Sequence, residues 1–374
     1  MNSKLILINQ SPGYLTIDTV NAYATKYKDV VLLAGRIGEY ECKLKPNIKI
    51  KKIIAYNKSS TIKRILTWGI AFVQIFLLLA LKYRKYEVVY VTNPPISYLS
   101  SLILGNPFSV IVYDTYPDAL RNIGIKQDHW IYELWSKWNS ILFKKAKSVY
   151  TLSDGMAQQL TTYVERNKIK VIPLWPALDS FAPIAKKDNF FVKKYGLDNK
   201  FVVLYSGNMG YTHNVDALVE VADVLISEEK IHFIFIGDGK KKKEMIRIVK
   251  EKQLKNCTFL DYQSIDVLPF SLASADLGVV TLNDETALTS VPSKTFNLLA
   301  VGAPLLCIAP QISEIASIVN RYENGRVFSA TEKENIASFI LSLTKDEEMR
   351  KKMSLASLEA VKEFSKDNAL LYLN

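Results

Sequence analysis

Phe201-Val202-Val203-Leu204-Tyr205-Ser206-Gly207-Asn208-Met209-Gly210-Tyr211-Thr212-His213-Asn214 is the stretch on which the reading of the whole chain turns. Five apolar or aromatic residues in a row leave no polar face, as in a strand buried on both sides of a parallel sheet. Two glycines then allow a sharp turn, and a helix is expected from about Asn214. Such a strand-to-helix turn either presents backbone N–H groups to a phosphate or is a plain turn, and these residues alone leave both open.

The same period runs outward in both directions. Downstream, short apolar runs occur at His232–Gly237, Thr258–Leu260, Leu277–Thr281, Ala303–Ile308 and Gly325–Phe328. Upstream they occur at Lys4–Asn9, Val30–Leu33, Ile48–Ile54, Val88–Thr92, Val110–Tyr113, Val149–Leu152 and Val171–Ile172. Two series of buried strands alternating with helices predict an α/β protein of two doubly wound, Rossmann-like domains facing a cleft. Ile172-Pro173-Leu174-Trp175-Pro176 ends the first series, and a polar stretch with Pro183, Lys186, Lys187 and Asp188 follows. The expected domains are therefore residues 1–180 and 181–350. A short helix is expected at Phe190–Tyr195 and an amphipathic one from Asp346 to Asn374, whose 351–374 part is a candidate to pack back on the first domain.

Composition narrows the function. The chain has 374 residues, 49% hydrophobic and 23% charged, which excludes disorder, a collagen-like fibre and a disulfide-stapled scaffold. Cys42, Cys257 and Cys307 are odd in number, scattered and outside any CxxC pairing, so a reduced cytosolic compartment is expected and a structural zinc site is not. With only three histidines, no metal centre is expected. Residues 1–180 hold 24 Lys/Arg against 12 Asp/Glu, whereas residues 181–374 hold 24 against 25, so the whole basic excess lies in the first half. That half wants an anionic partner: nucleic acid, anionic lipid or a phosphorylated substrate.

The N-terminal run Lys4–Asn9 is too short for a signal peptide and reads as a strand. Ile65–Leu81 carries no charge, and Lys63-Arg64 and Lys82, Arg84 and Lys85 flank it. Its length is at the lower limit for spanning a membrane, the flanks show no positive-inside bias, and a strand pattern follows at once. A core helix or a monotopic helix with one face in the lipid interface fits better than a span, and peripheral attachment is favoured.

Four further motifs carry chemistry. Gly237-Asp238-Gly239 resembles the first turn but has Lys242 where a dinucleotide fingerprint needs a third glycine, and Lys240–Lys243 reads as a solvated helix start. In Ser290-Val291-Pro292-Ser293-Lys294, Pro292 and Ser293 suit a helix beginning, so Lys294 opposes the helix dipole, a mismatch that an anionic ligand would explain. Tyr113-Asp114-Thr115-Tyr116-Pro117-Asp118 puts carboxylates after a strand in a basic half. Asp118 is as well explained as a helix cap, while Asp114 leans towards function. In Asp261-Tyr262-Gln263, Tyr262 offers a face to a flat ring.

In order and spacing, Tyr205–Gly210, Gly237–Gly239, Asp261–Gln263 and the Val291–Pro304 block resemble those of GT-B fold, group 1 retaining glycosyltransferases. The likeness is nearest to the colanic-acid-type and N-acetylfucosaminyl-type branch of bacterial polysaccharide synthesis. Asn93-Pro94-Pro95 and Tyr113–Asp118 extend it into the first half. The resemblance implies transfer of a hexosyl or N-acetylaminosugar from a nucleotide diphosphate donor, UDP-sugar favoured over GDP-sugar, to a polyprenyl-diphosphate-linked acceptor. It also implies a cytoplasmic enzyme peripheral on the inner face of the cell membrane, with no metal, no cofactor and no nucleic acid. Tyr262 and Gln263 would lie near the base, and Gly207, Asn208, Gly210, Ser293 and Lys294 near the diphosphate. Glu285 and Ser290 would line the donor sugar, His213 and Pro292 would belong to the donor side, and Gly13, also on the donor side, stands in what remains of the family's N-terminal glycine loop. Asp114 would act with Lys294 in catalysis, and Tyr116 and Asp118 on the acceptor side. The family's paired glutamates are replaced by Thr289 and Asn297, and its Arg and Lys after the first C-terminal strand are absent. A sugar-nucleotide epimerase of the same fold and a basic membrane- or nucleic-acid-binding module are the rival readings. Scarce histidines and missing paired acids weigh against the first, and two complete α/β domains against the second.

Overall fold

The computed structural model describes residues 3–38, 43–123 and 127–374. Cys42 lies outside them. The chain divides into two compact units, Met1–Leu174 with Lys366–Asn374, and Trp175–Ser365.

The first unit is a parallel sheet of seven strands: β1 (Lys4–Ile8), β2 (Asp29–Ala34), β3 (Ile48–Lys52), β4 (Glu87–Val91), β5 (Phe108–Ile111), β6 (Val149–Thr151) and β7 (Ile169–Val171). Their order is β3-β2-β1-β4-β5-β6-β7. Helices α1 (Tyr14–Lys26), α2 (Thr61–Leu81), α3 (Trp130–Lys145) and α4 (Asp154–Leu160) connect them, with 3₁₀ turns at Ser97–Leu102 and Asp118–Ile123. In β1 and β4 nearly every side chain is buried, because helices cover both faces of the sheet.

The second unit repeats the plan with β8 (Phe201–Ser206), β9 (Ile231–Ile236), β10 (Cys257–Leu260), β11 (Leu277–Thr281), β12 (Leu305–Ile308) and β13 (Gly325–Phe328), ordered β10-β9-β8-β11-β12-β13 and all parallel. Its helices are α5 (Phe190–Tyr195), α6 (Ala217–Val224), α7 (Lys242–Glu251), α8 (Leu268–Leu272), α9 (Lys294–Ala300), α10 (Glu314–Tyr322), α11 (Lys333–Lys345) and α12 (Glu347–Ala360). The expected α5 is present, capped by Asn189 and ended by Gly196 at φ 64°.

Strand order reverses between β1 and β4 in one sheet and between β8 and β11 in the other. At such a switch point the loops after the strands diverge and leave a crevice at their carboxyl ends. The candidate residues cluster at these two places.

Two boundaries differ from expectation. The units part between Leu174 and Trp175, because the Ala177 amide donates to the Asn297 carboxamide (2.8 Å) and so ties the linker to α9. The C-terminal helix stops at Ala360. Its Ser357 hydroxyl donates to the Ala303 carbonyl (2.8 Å), which holds α12 in the second unit, and Phe364 packs on Phe296. Lys366–Leu373 is a 3₁₀ segment of the first unit, where Tyr372 is buried against Tyr150 with ring centroids 5.0 Å apart.

Only Ala71, Ile75 and Leu79 of α2 are buried, and Ile65, Leu66, Ile70, Val73, Leu77 and Leu81 are exposed. Among the described residues α2 is the one helix long and apolar enough to cross a membrane, and only 17% of its most apolar window is buried. It is therefore not a plain core helix: one narrow stripe packs on the sheet and a broad apolar face is left uncovered.

Candidate functional site

In the second unit the glycine turn after β8 is held from below by the turn after β9. The Met209 amide donates to the Asp238 carbonyl and the Lys241 amide to the Met209 carbonyl (2.8 and 2.9 Å). A Cβ at Gly237 would stand 2.0 Å from the Gly207 carbonyl oxygen, and one at Gly239 2.4 Å from the Met209 backbone. Both glycines also have positive φ (135° and 152°). Gly237-Asp238-Gly239 is thus a floor for the upper loop, and close backbone approach accounts for its glycines. The lysines after it also differ from expectation. Lys241 Nζ donates to the His213 carbonyl and to Asp216, and Lys242 Nζ to the Gly237 carbonyl and Asp261, with both side chains largely buried. They are ties between loops, not a solvated face.

Above this floor lies Lys294, in the first turn of α9 as expected. Its Nζ sits 3.8 Å from the centroid of the Tyr205 ring and 3.2 Å from where a Cβ of Gly207 would be. The ammonium is buried and has no hydrogen-bond partner. Desolvation lowers its pKa to about 7. The Tyr205 ring face compensates in part by a cation–π contact, and its hydroxyl is engaged with the Asn208 carbonyl (2.6 Å).

His213 is the second member. Its Nδ1 lies 2.9 Å from the Thr281 carbonyl oxygen, which only accepts, so Nδ1 carries the proton and Nε2 is left as an acceptor. Burial first, then the nearby Lys294 charge, lowers its pKa to about 4, so it is neutral at physiological pH. Asn214 ties the same segment to β11 through the Leu282 carbonyl (3.1 Å). The segment through Asp216 is therefore a loop docked on β11, and α6 begins only at Ala217 instead of near Asn214.

Tyr262, just after β10, is more than half exposed. Gln263 folds back onto the Asp261 carbonyl (2.7 Å). Glu285 is exposed on a 3₁₀ turn, Ser290 is half-buried and Pro292 buried, and none hydrogen-bonds to the Lys294 cluster among the described residues. Ser293 precedes α9 without a capping hydrogen bond. Gly210 closes the turn, its carbonyl accepting from the His213 amide (3.1 Å). Asn297, at one of the two positions where the family has glutamate, is used up holding Ala177.

In the first unit a pocket of about 300 Å³ opens at the carboxyl ends of β1, β4 and β5. Gly13, Asp114 and Tyr116 line it together. The Thr92 hydroxyl accepts from the Tyr113 and Asp114 amides (3.1 and 3.3 Å) and so fixes the turn that presents the carboxylate. Asp114 is exposed at the mouth, yet the surrounding protein raises its pKa by desolvation. Asp118 is not among the pocket residues. It accepts from the Tyr132 hydroxyl (2.5 Å) and so anchors α3.

Trp68, on α2, is in sequence terms only one member of an apolar run. Its ring stacks on Tyr56 (6.0 Å, 2°) and meets Tyr116 edge-on (6.2 Å, 86°), and all three line the pocket. Neither Tyr56 nor the ring of Tyr205 stands out in the sequence as a site residue. Trp68 is followed at helical spacing by Phe72 and Phe76, so an apolar helix accounts for it and the sequence carries no separate signal for the first pocket.

Residues 187–359 match the family described as Glycosyl transferases group 1. Over 226 residues, 60% of this chain, the sequence is 26% identical to a putative colanic acid biosynthesis glycosyl transferase, WcaI, of Escherichia coli K12. The matched stretch spans only 55% of that relative's length. A probable glycosyltransferase of Pseudomonas aeruginosa, WbjE, is 25% identical over 268 residues, 69% of this chain and 67% of that protein. The Anabaena protein Alr3699/HepE, solved in complex with UDP and glucose, aligns with a TM-score of 0.74 at 15% identity, covering 99% of this chain and 98% of its own. This last likeness is one of fold.

Proposed function

We propose, from a chain of GT-B fold whose residues 187–359 match the group 1 glycosyltransferase family, that the protein transfers a sugar, with retention, from a nucleotide diphosphate donor to a lipid-linked oligosaccharide of bacterial surface polysaccharide. The observation that carries the reading is the Lys294 ammonium, buried and unpartnered beneath the Gly207 loop. A buried cation without a partner is costly, and a diphosphate supplies the missing anion. UDP is favoured as the nucleotide, in line with the UDP complex of the Anabaena neighbour.

In this reading the departing diphosphate develops charge at Lys294, whose stabilisation lowers the barrier. The Gly207 and Gly210 turn lets the backbone approach the phosphates. His213 Nε2 accepts from a hydroxyl of the donor sugar, and the open face of Tyr262 takes the base. The acceptor hydroxyl attacks on the face the diphosphate leaves, and a phosphate oxygen takes its proton. Asp114 positions the acceptor. Lys294 provides a cation at the phosphate, so turnover is expected without added divalent metal.

Membrane attachment belongs to the same reading. The uncovered apolar face of α2 and the basic residues at both its ends suit an anionic bilayer surface, with the protein peripheral on the cytoplasmic side. The deciding experiment is calorimetric titration of UDP and GDP with a nucleotide-sugar panel read for released nucleotide. Absence of binding and of release across the panel would overturn the proposal.

A further inference from the structure

The first-unit pocket is amphipathic in a particular way. One wall is the aromatic set Tyr56, Trp68 and Tyr116, and the other carries Asn9, Thr92 and the Asp114 carboxylate. A ligand that fits must have an apolar face for the rings and hydroxyl donors for the carboxylate. Trp68 Nε1 and Arg64 Nε are both buried and have no acceptor in the structure. Buried donors left unmade are unfavourable, so the ligand must also bring acceptor oxygens. Arg64 stands one helix turn before Trp68 on α2, so the two side chains share a face of that helix.

The same helix turns carry the third property. Trp68 lines the pocket and Arg64 lies one turn before it, while Ile65, Leu66 and Ile70 beside them are exposed and apolar. One helix therefore borders the aromatic wall of the pocket, carries a cation and exposes an apolar face within two turns. We infer that this pocket seats the sugar ring of a prenyl-diphosphate-linked acceptor against Trp68 and Tyr56, with the phosphate at Arg64 and the chain laid along the exposed face of α2. The inference rests on the proposed transferase reading and adds to it the residues and direction of acceptor binding.

The test uses the full chain and farnesyl diphosphates of glucose, galactose, N-acetylglucosamine and N-acetylgalactosamine. Each is titrated beside its methyl glycoside and beside farnesyl diphosphate alone. At least one sugar should bind about tenfold more tightly as its farnesyl diphosphate than in either truncated form. Trp68→Ala should weaken the sugar-bearing probe roughly tenfold or more and spare farnesyl diphosphate, and Trp68→Phe should recover most of the loss. Arg64→Gln should weaken both diphosphate probes and spare the methyl glycoside. Melting curves show whether Trp68→Ala folds, and Trp68→Phe keeps the test decisive if it does not. Binding of no probe, or affinities indifferent to both residues, overturns the inference. UDP affinity measured on the same preparation separates the failures: UDP binding without probe binding removes this inference alone, and loss of UDP binding removes the reading beneath it.

Discussion

Both units reverse strand order in the same way, yet they furnish the switch point with opposite charges and opposite enclosure. In the second unit a cation is sealed between an aromatic ring and a glycine loop, with a second glycine turn as floor. In the first unit a carboxylate stands at an open mouth with rings along one side. A closed, preorganised cationic site suits a small, highly charged ligand, since its stabilisation needs little reorganisation. An open amphipathic pocket suits a ligand with a ring, hydroxyls and a long tail that must remain outside. The difference teaches that one architecture supports two recognition modes through the few residues after each strand.

The largest expected effect tests the cationic half. Lys294→Ala should lower nucleotide affinity and transfer by roughly tenfold to over a hundredfold, the loss of a charge-assisted contact of about 1.5–3 kcal/mol, with an unchanged melting transition. Near-normal turnover would break the comparison at its strongest point. Next comes the floor. Gly237→Ala should destabilise the second unit by about 2–3 kcal/mol, because positive φ and a collision with the Gly207 carbonyl act together, as denaturant unfolding would show.

The exposed helix sharpens the contrast on the other side. Ile75→Ser should cost about 2 kcal/mol or more, whereas Val73→Ser should cost about 0.5 kcal/mol or less and reduce binding to anionic vesicles. Equal unfolding by both would make α2 an ordinary core helix.

Acidity separates the units further. Lys294 is held near pKa 7 in the free protein, and a bound diphosphate would raise that value, so binding takes up a proton. Affinity should be full below about pH 7 and fall by roughly tenfold per pH unit above it, until the pKa of the complex is passed. Lys294→Ala should flatten this slope, and a slope retained in that variant would assign it to another group. The smallest effect is expected at the open carboxylate. Asp114→Asn should reduce transfer several-fold, roughly 1 kcal/mol, while sparing nucleotide affinity. Asp118→Asn should do less, since an amide oxygen still accepts from Tyr132.

How much of this is legible in the sequence follows from where each property is encoded. Strands such as β8 and β4 are continuous apolar runs, and their parallel pairing follows from burial on both faces. Lys294 is visible because a cation in the first turn of a helix violates a local rule. The role of Gly237 is hidden, since its partner is the backbone of Gly207, a contact that no local pattern records. Trp68 is hidden for the opposite reason, because an apolar helix accounts for it without any ligand. Asp118 opens a 3₁₀ turn where the cap pattern puts a helix start, and its tie to Tyr132 on the next helix is a contact that the pattern does not record.

The return of Lys366–Asn374 to the first unit has a consequence for engineering. The chain leaves that unit once after Leu174 and re-enters it after Ser365, so Trp175–Ser365 is in effect a guest domain spliced into a host. Truncation after Ser365 would strip the host of Tyr372 and of the carbonyls that receive the Tyr150 hydroxyl and the Lys170 ammonium. Exchange of the second unit between related proteins should therefore be attempted as a cassette exchange with both splice points kept, because a simple head-to-tail chimera would graft one protein's tail onto another's host.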